Sequence, residues 1–248
     1  MSILKKIQTS KPEKSIFIMT LIKSSLLYLK GDLEKAKDLV KDCKNDFELI
    51  FYEYLNSTTQ NINLDLKHKR ILSSNNPTVI YYLAKIYFNQ KDYDNYLYQM
   101  GRLLDFNFAY CDFLLFFDQN NDNIKFEDFA REALVKFPGD SRISYICAIH
   151  YFERNQFESM TKIISGMSDK DPVRFYLQGL ISNDKNDFRM AIELDPTYHE
   201  AYMKLYDNYE LTLKSLEIAS CYEEVFESIR NLIIIENNEY LKRMRNDL

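Results

Sequence analysis

Pro138 and Pro172 stand 34 residues apart, and Asp195-Pro196 makes a further break of the same kind. Each interrupts an amphipathic pattern. Proline has no backbone N–H to give a helix and its ring drives the preceding residue out of the helical region, but at a first helical position neither defect matters. "FRMAIELDPTYHEAYMKL", Phe188 to Leu205, therefore reads as the end of one helix and the start of the next. "SRISYICAIHYFERNQFESMTKIISGMSDKDP", Ser141 to Pro172, reads as two helices joined at Asn155-Gln156-Phe157. A chain punctuated in this way is a run of helical hairpins, and breaks that recur at a fixed period mark internal repetition.

Two antiparallel helices interlock closely only where a small side chain faces a large one. In the Ser141 to Pro172 stretch the small residue is Ala148, followed by Tyr151. "PTVIYYLAKIYFNQKDYDNYLYQMGRLL" carries Ala84, Tyr87 and a turn at Lys91-Asp92-Tyr93, and "SLLYLKGDLEKAKDLV" carries Gly31-Asp32-Leu33 followed by Ala36. "KFEDFAREALVKFPGD" supplies Ala133 and Pro138, and "FYLQGLISNDKNDFRMAIELDP" supplies Gly179, Ala191 and Pro196. These residues at this period resemble the tetratricopeptide repeat. The resemblance implies an all-α fold, a right-handed superhelical solenoid of about seven helix hairpins whose first helices line one concave face. The registers begin near residues 17, 51, 77, 107, 141, 172 and 199, the second and sixth units being abbreviated. With no Gly-, Pro- or Ser-rich linker, residues 1–248 read as one domain: an N-terminal extension (1–14), repeats (15–220) and a long capping helix (221–245).

Composition agrees with helices. Five glycines and five prolines in 248 residues are too few for an all-β chain of tight hairpins, and 46% apolar content excludes disorder. The 19 tyrosines and 17 phenylalanines, with no tryptophan, are what an AT-rich coding genome gives and are not by themselves a functional signal. A net charge of -5 without basic blocks argues against a nucleic-acid partner, which needs clustered Lys and Arg to displace counterions. Cys43, Cys111, Cys147 and Cys221 form no CxxC pair, so neither a zinc site nor a disulfide framework is expected, and a reducing compartment fits. The longest apolar tracts, Ser15 to Ile22, Phe113 to Phe117 and Leu232 to Ile235, fall short of the roughly 20 residues of a membrane helix. "SIFIMTLI" after Lys11 and Lys14 is broken by Lys23 while helical periodicity continues, so it reads as a first amphipathic helix and not as a signal peptide.

Candidate chemistry is sparse. Cys147 and His150 stand three apart, but the register puts Cys147 in the core and His150 on the outer side, so they do not read as a nucleophile and its base. "DQNNDNIKFEDF" begins like a calcium loop, yet Asn123 replaces the turn glycine and Phe129 the final glutamate, which leaves an inter-helix turn. His68 and His199 have no evident partner in sequence, and no Gly-rich loop offers a phosphate site. The expectation is a protein that is not an enzyme and has no metal or cofactor.

What remains is the concave face. Projecting the registers onto it gives Tyr81, Lys85 and Phe88 from the third unit and Phe108, Cys111 and Leu115 from the fourth. The fifth contributes Arg142, Tyr145, Ile149 and Phe152, and later units add Tyr176, Leu180 and Met203. So apolar a lining, with scattered cations, suits an amphipathic peptide laid in a groove, with Tyr145, Phe152 and Tyr176 as anchors. The alternative is that the superhelix or its terminal helix buries the same residues.

The stretch from Ala191 to Met244, "AIELDPTYHEAYMKLYDNYELTLKSLEIASCYEEVFESIRNLIIIENNEYLKRM", resembles the end of the seventy-kilodalton preprotein receptor of the mitochondrial outer-membrane translocase. The matching features are Leu216 to Ala219, the acidic pair Glu223-Glu224 and a last helix through Met244. The resemblance covers roughly the last 60 residues. It implies a non-enzymatic import receptor on the cytosolic face of a mitochondrial or mitosomal outer membrane. Such a receptor binds hydrophobic internal targeting segments of preproteins and works beside other translocase subunits. Two departures stand against it: the family's membrane anchor has no counterpart, and the clamp that holds chaperone carboxylates is not recognisable, Leu21, Ser25, Thr78 and Tyr82 standing at its positions. A cytosolic tetratricopeptide scaffold or co-chaperone, or a structural subunit of a larger complex, are the alternatives.

Overall fold

Four of the hairpin turns share one backbone design. At Gly31, Lys91, Asn121 and Asn155 the chain enters the left-handed region, with φ of 82°, 61°, 55° and 58°. The residue after each closes a Schellman motif, its N–H reaching five residues back: Asp32 to the Leu27 carbonyl, Asp92 to Tyr87, Asp122 to Phe117 and Gln156 to Tyr151, all at 2.8–2.9 Å. In three of the four that next residue is an aspartate that also starts the following helix, accepting the backbone N–H of Lys35, Asn95 or Lys125. At these turns one residue ends a helix and its neighbour begins the next. "DQNNDNIKF" is such a turn, its Asp122 carboxylate spent on the cap.

The computed structural model describes residues 12–42, 45–64, 68–205 and 209–218, and those residues are mostly helical, with no strand among them. The helices are α1 (Pro12–Leu29), α2 (Leu33–Val40), α3 (Asp46–Ser57), α4 (Lys69–Leu72), α5 (Pro77–Asn89), α6 (Tyr93–Gly101) and α7 (Asn107–Gln119). They continue with α8 (Asn123–Lys136), α9 (Ser141–Glu153), α10 (Phe157–Ser165), α11 (Pro172–Ser182), α12 (Lys185–Leu194), α13 (His199–Met203) and α14 (Tyr209–Ile218). Pro77 and Pro172 occupy first helical positions, and the residues before Pro138 and Pro196 are non-helical, as proline requires.

Five expected hairpin starts, near 77, 107, 141, 172 and 199, coincide with the starts of α5, α7, α9, α11 and α13. Two need correction. The first helix among the described residues begins at Pro12 instead of near 17, and the second hairpin begins at Asp46 instead of near 51, because Asn45 caps it by accepting the N–H groups of Phe47 and Glu48. Among the described residues that hairpin shows no full second helix. After α3 the chain runs irregularly, tied by the Gln90 side chain to the Ile62 carbonyl at 2.6 Å, and only the single turn α4 follows. The expected capping helix at 221–245 lies outside the described residues, as do Ala219 and Glu223-Glu224.

By density of internal contacts the chain divides into two compact units, Met1–Ala109 and Tyr110–Leu248. In the first, α1 packs on α2, α2 on α3, α3 on α5 and α5 on α6. Its core is one cluster of Ala36, Val40, Phe51 and Leu55 and another of Ile50, Ile71, Val79, Leu83 and Ile86. In the second, α9 packs on α10 and α11, α10 on α11, α11 on α12, and α12 on α13. Every small residue singled out in the sequence, Ala36, Ala84, Ala133, Ala148, Gly179 and Ala191, is buried.

Among the described residues Lys91 is the one lysine in the left-handed region, where an L side chain crowds its own backbone. Lys91→Gly is expected to raise stability by about 0.5–1 kcal/mol, the glycine preference at such a cap outweighing its larger unfolded-state entropy. A higher urea midpoint at unchanged slope is the readout.

Candidate functional site

In the first unit, α5 and the start of α7 bring aromatic rings together around an open pocket of about 410 Å³, lined by Pro77, Thr78, Tyr81, Tyr82, Phe106 and Phe108. Tyr81 and Phe108, both expected on the binding face, meet edge to face with centroids 5.4 Å apart. Phe106, 41% exposed, stacks on Phe108 at 5.4 Å. Lys85, one turn after Tyr81, holds its ammonium 5.1 Å from the Tyr81 centroid and 6.0 Å from that of Phe88. Three of the expected residues therefore form one strip along α5, joined by a cation over two rings. Behind the pocket a chain of rings runs Tyr82, Tyr54, Tyr28, at 5.3 and 5.9 Å. Burial, then the neighbouring Tyr81, pushes the Tyr82 phenol above its ordinary pKa, so it stays a neutral hydrogen-bonding group.

The pocket is legible only in part from the sequence. Tyr82 and Phe106 fall off the expected binding positions, and they reach the pocket because consecutive residues on a helix diverge by about 100° and the turn before α7 folds Phe106 back. Thr78 and Pro77 enter because the pocket opens at the start of α5.

In the second unit Tyr145 of α9 and Tyr176 of α11 also meet, centroids 6.3 Å apart, and Tyr198 extends the row at 5.3 Å from Tyr176. Tyr176 is only 6% exposed and additionally touches Phe188 at 5.9 Å, so the ring expected as an open anchor lies beneath its neighbours. Leu115 and Arg142 are exposed, while Ile149, Phe152, Leu180 and Met203 are half-buried. The ring of Phe152 rests against Phe157 at 6.1 Å, and the Met203 sulfur accepts from Ser215. Cys111 is buried.

His150 was misjudged, and the partners of all three histidines are remote in sequence. His150, expected on the outer side, is 2% exposed. Its ring stacks on Phe126 with centroids 3.5 Å apart, and its Nδ1 lies 2.6 Å from Asp118 Oδ1, which also accepts from Arg154 at 3.1 Å. His68 Nε2 lies 3.1 Å from Glu53 Oε1, and His199 Nε2 lies 3.1 Å from the Ser215 hydroxyl. Each is a buried ring satisfied by a side chain at least fifteen positions away.

Cys147 does sit in the core, fully buried. Burial, then the nearby Cys111, pushes its thiol up to about 12, and burial pushes Cys111 up to about 11. A nucleophilic cysteine needs the opposite shift. Because the folded chain holds these protons more tightly, the stability they lend is whole below pH 9.0 and is lost as pH climbs toward 11 and 12. The raised phenols of Tyr82, Tyr87 and Tyr145 act in the same direction above their ordinary value of 10.0. The urea midpoint is therefore expected to hold from pH 7 to 9 and fall steadily above it, which a denaturation series across that range checks.

Among the described residues no group of three or more His, Cys, Asp or Glu side chains is placed to hold a metal ion, and no helix is long and apolar enough to cross a membrane. Set against known proteins, the sequence matches no family model and no curated protein.

Proposed function

We propose that this chain is a non-enzymatic binding protein of tetratricopeptide type, its hairpins wound as a right-handed superhelix, that receives an apolar segment of another protein. The observation that carries the reading is the meeting of Tyr81 and Phe108 in one open pocket. These residues come from successive first helices, and the periodicity points both to the binding face. A volume of about 410 Å³ lies within the range of ligand pockets and accepts an aromatic or branched aliphatic side chain. Thr78 and Tyr82 stand where the resemblance would put chaperone-clamp cations, so the pocket favours a ring or alkyl group over a carboxylate. Aromatic walls give large contact area with little rotamer entropy lost, and ordering a flexible peptide offsets part of it, so affinity on the order of micromolar is expected.

The fuller form of the proposal is an import receptor for hydrophobic targeting segments of preproteins, on the cytosolic face of a mitochondrial or mitosomal outer membrane. It rests on the likeness of roughly the last 60 residues to the seventy-kilodalton receptor. Membrane association would then come through other translocase subunits or a segment beyond the described residues.

Anisotropy of a labelled amphipathic peptide bearing Phe and Leu anchors tests the core of this. Tyr81→Glu with Phe108→Glu is expected to weaken binding at least tenfold, whereas Tyr98→Glu, at a residue 65% exposed on α6, leaves it unchanged. Equal affinity of the double variant and the native chain, with helicity retained by circular dichroism, rejects the pocket. Co-sedimentation of the native protein with mitochondria or their remnants separates the receptor from a cytosolic scaffold.

A further inference from the structure

The pocket of the first unit holds more than rings. Three of its lining residues, Thr78, Tyr81 and Tyr82, carry hydroxyls, and none of these hydroxyls has a hydrogen-bond partner among the described residues. Neither tyrosine oxygen is sealed off and Thr78 is exposed, so water or a ligand reaches all three. The rest of the lining, Pro77, Phe106 and Phe108, has no polar side-chain atom, and no lining residue carries a charge. Tyr81 stands nearly square to Phe108, planes 85° apart, and at 68° to Tyr82, so these walls meet as corners. Lys85 lies outside the lining but holds its ammonium 5.1 Å from the Tyr81 centroid.

These features choose among the forms that a bound segment can take. A methylated ammonium, a common guest of a box of rings, would meet Lys85 over the same Tyr81 and find no carboxylate in the lining. An added β-strand needs an open sheet edge, and there is no strand among the described residues. An α-helix spends its carbonyls on itself and would press an apolar face on three hydroxyls, which lose water and gain nothing. A polyproline II segment has the opposite character: its backbone carbonyls are all unpaired, and its proline rings suit aromatic walls. The match is of charge as well as shape, with donors and no ion on the protein, acceptors and no ion on the segment. We propose that this pocket is a docking site for a proline-rich segment of another protein in the polyproline II conformation, a proline ring lying against Tyr81 and Phe108 and backbone carbonyls accepting from the Tyr82 and Thr78 hydroxyls. This deepens the segment-binding reading above and rests on it. It adds selectivity by backbone conformation: of two equally apolar segments, the chain takes the one that cannot form a helix.

Anisotropy on the full chain tests it with three labelled peptides: a proline-rich one, the same peptide with alanine at every proline, and the amphipathic one bearing Phe and Leu anchors. The native protein is expected to bind the proline form about tenfold more tightly than the alanine form, because only the first arrives with its conformation fixed. Tyr82→Phe with Thr78→Val removes two hydroxyls and keeps the rings. It is expected to weaken the proline form about fivefold and to leave the amphipathic peptide unchanged, with circular dichroism verifying that the fold is kept. Equal binding of the proline and alanine forms by the native chain overturns the proposal whether or not the variant folds. So does a folded variant that binds the proline form as the native chain does, or that weakens both peptides alike. If the amphipathic peptide is still lost in Tyr81→Glu with Phe108→Glu, the segment-binding function survives without this selectivity. No binding of any peptide to the native chain sinks both.

Discussion

Replacing Gly179 with valine will destabilise the protein by about 3 kcal/mol. A β-carbon built on Gly179 falls 2.7–2.9 Å from three atoms of the Phe188 ring, closer than side-chain carbons approach one another. The obstacle is not a flexible chain end. Phe188 is 4% exposed and its ring is held against Tyr176 at 5.9 Å, so it gives way only by moving a neighbour or by separating α11 from α12. The gain in helix propensity over glycine returns well under 1 kcal/mol of this. Phe188→Leu, which shortens the obstructing side chain, should recover part of the loss in the double variant. Urea denaturation of the four proteins of that cycle gives the coupling directly. A Gly179→Val protein as stable as the native chain would mean that these two helices are not interlocked here.

The second large effect belongs to Phe126. The ring is fully buried and lies flat under His150, with centroids 3.5 Å apart and planes 7° from parallel. Phe126→Ala is expected to cost about 3–5 kcal/mol, from lost transfer energy and from a cavity beneath a polar ring that the surrounding helices cannot close. Asp118→Ala acts on the other side of the same imidazole. It removes the carboxylate 2.6 Å from Nδ1 and leaves a buried donor unsatisfied, at about 1–3 kcal/mol. Because both substitutions loosen the same ring, the double variant should lose less than the sum. Simple additivity would show that His150 is held independently on its two faces.

How far the sequence reaches can be judged residue by residue. Pro138, Pro172 and Pro196 announced helix boundaries because proline's constraint is local to its own peptide units, and no packing can override it cheaply. Gly31, Asn155 and the aspartates after the turns did the same through cap chemistry that reaches only a few residues. The buried small residues Ala84, Ala148 and Gly179 were visible through their period. Asn45 was passed over because its cap competes with the equally apolar start at Phe51, and the lack of a full second helix among the described residues between Ser57 and Lys69 left only a short count as its trace.

The candidate site divides along the same line. Tyr81 and Phe108 could be placed on one face by helical spacing alone, since spacing fixes direction within each helix. That Phe106 and Tyr82 would complete the pocket could not, because it depends on how the turn before α7 carries one helix against another. Burial of Tyr176 and of His150 was equally out of reach. Phe188 and Tyr198 cover the first, while Phe126 and Asp118 receive the second, all from segments whose relation to these residues no local rule contains.

Alone, then, the order of residues determined an all-helical chain of hairpins, where most of them start and turn, and which small side chains their interiors need. Those properties follow from backbone sterics and from periodicity within about ten residues. The tertiary structure alone decided which aromatics stay open and which histidines are sealed and paired. Those outcomes hang on contacts between helices, where a shift of a few ångströms turns a binding face into core.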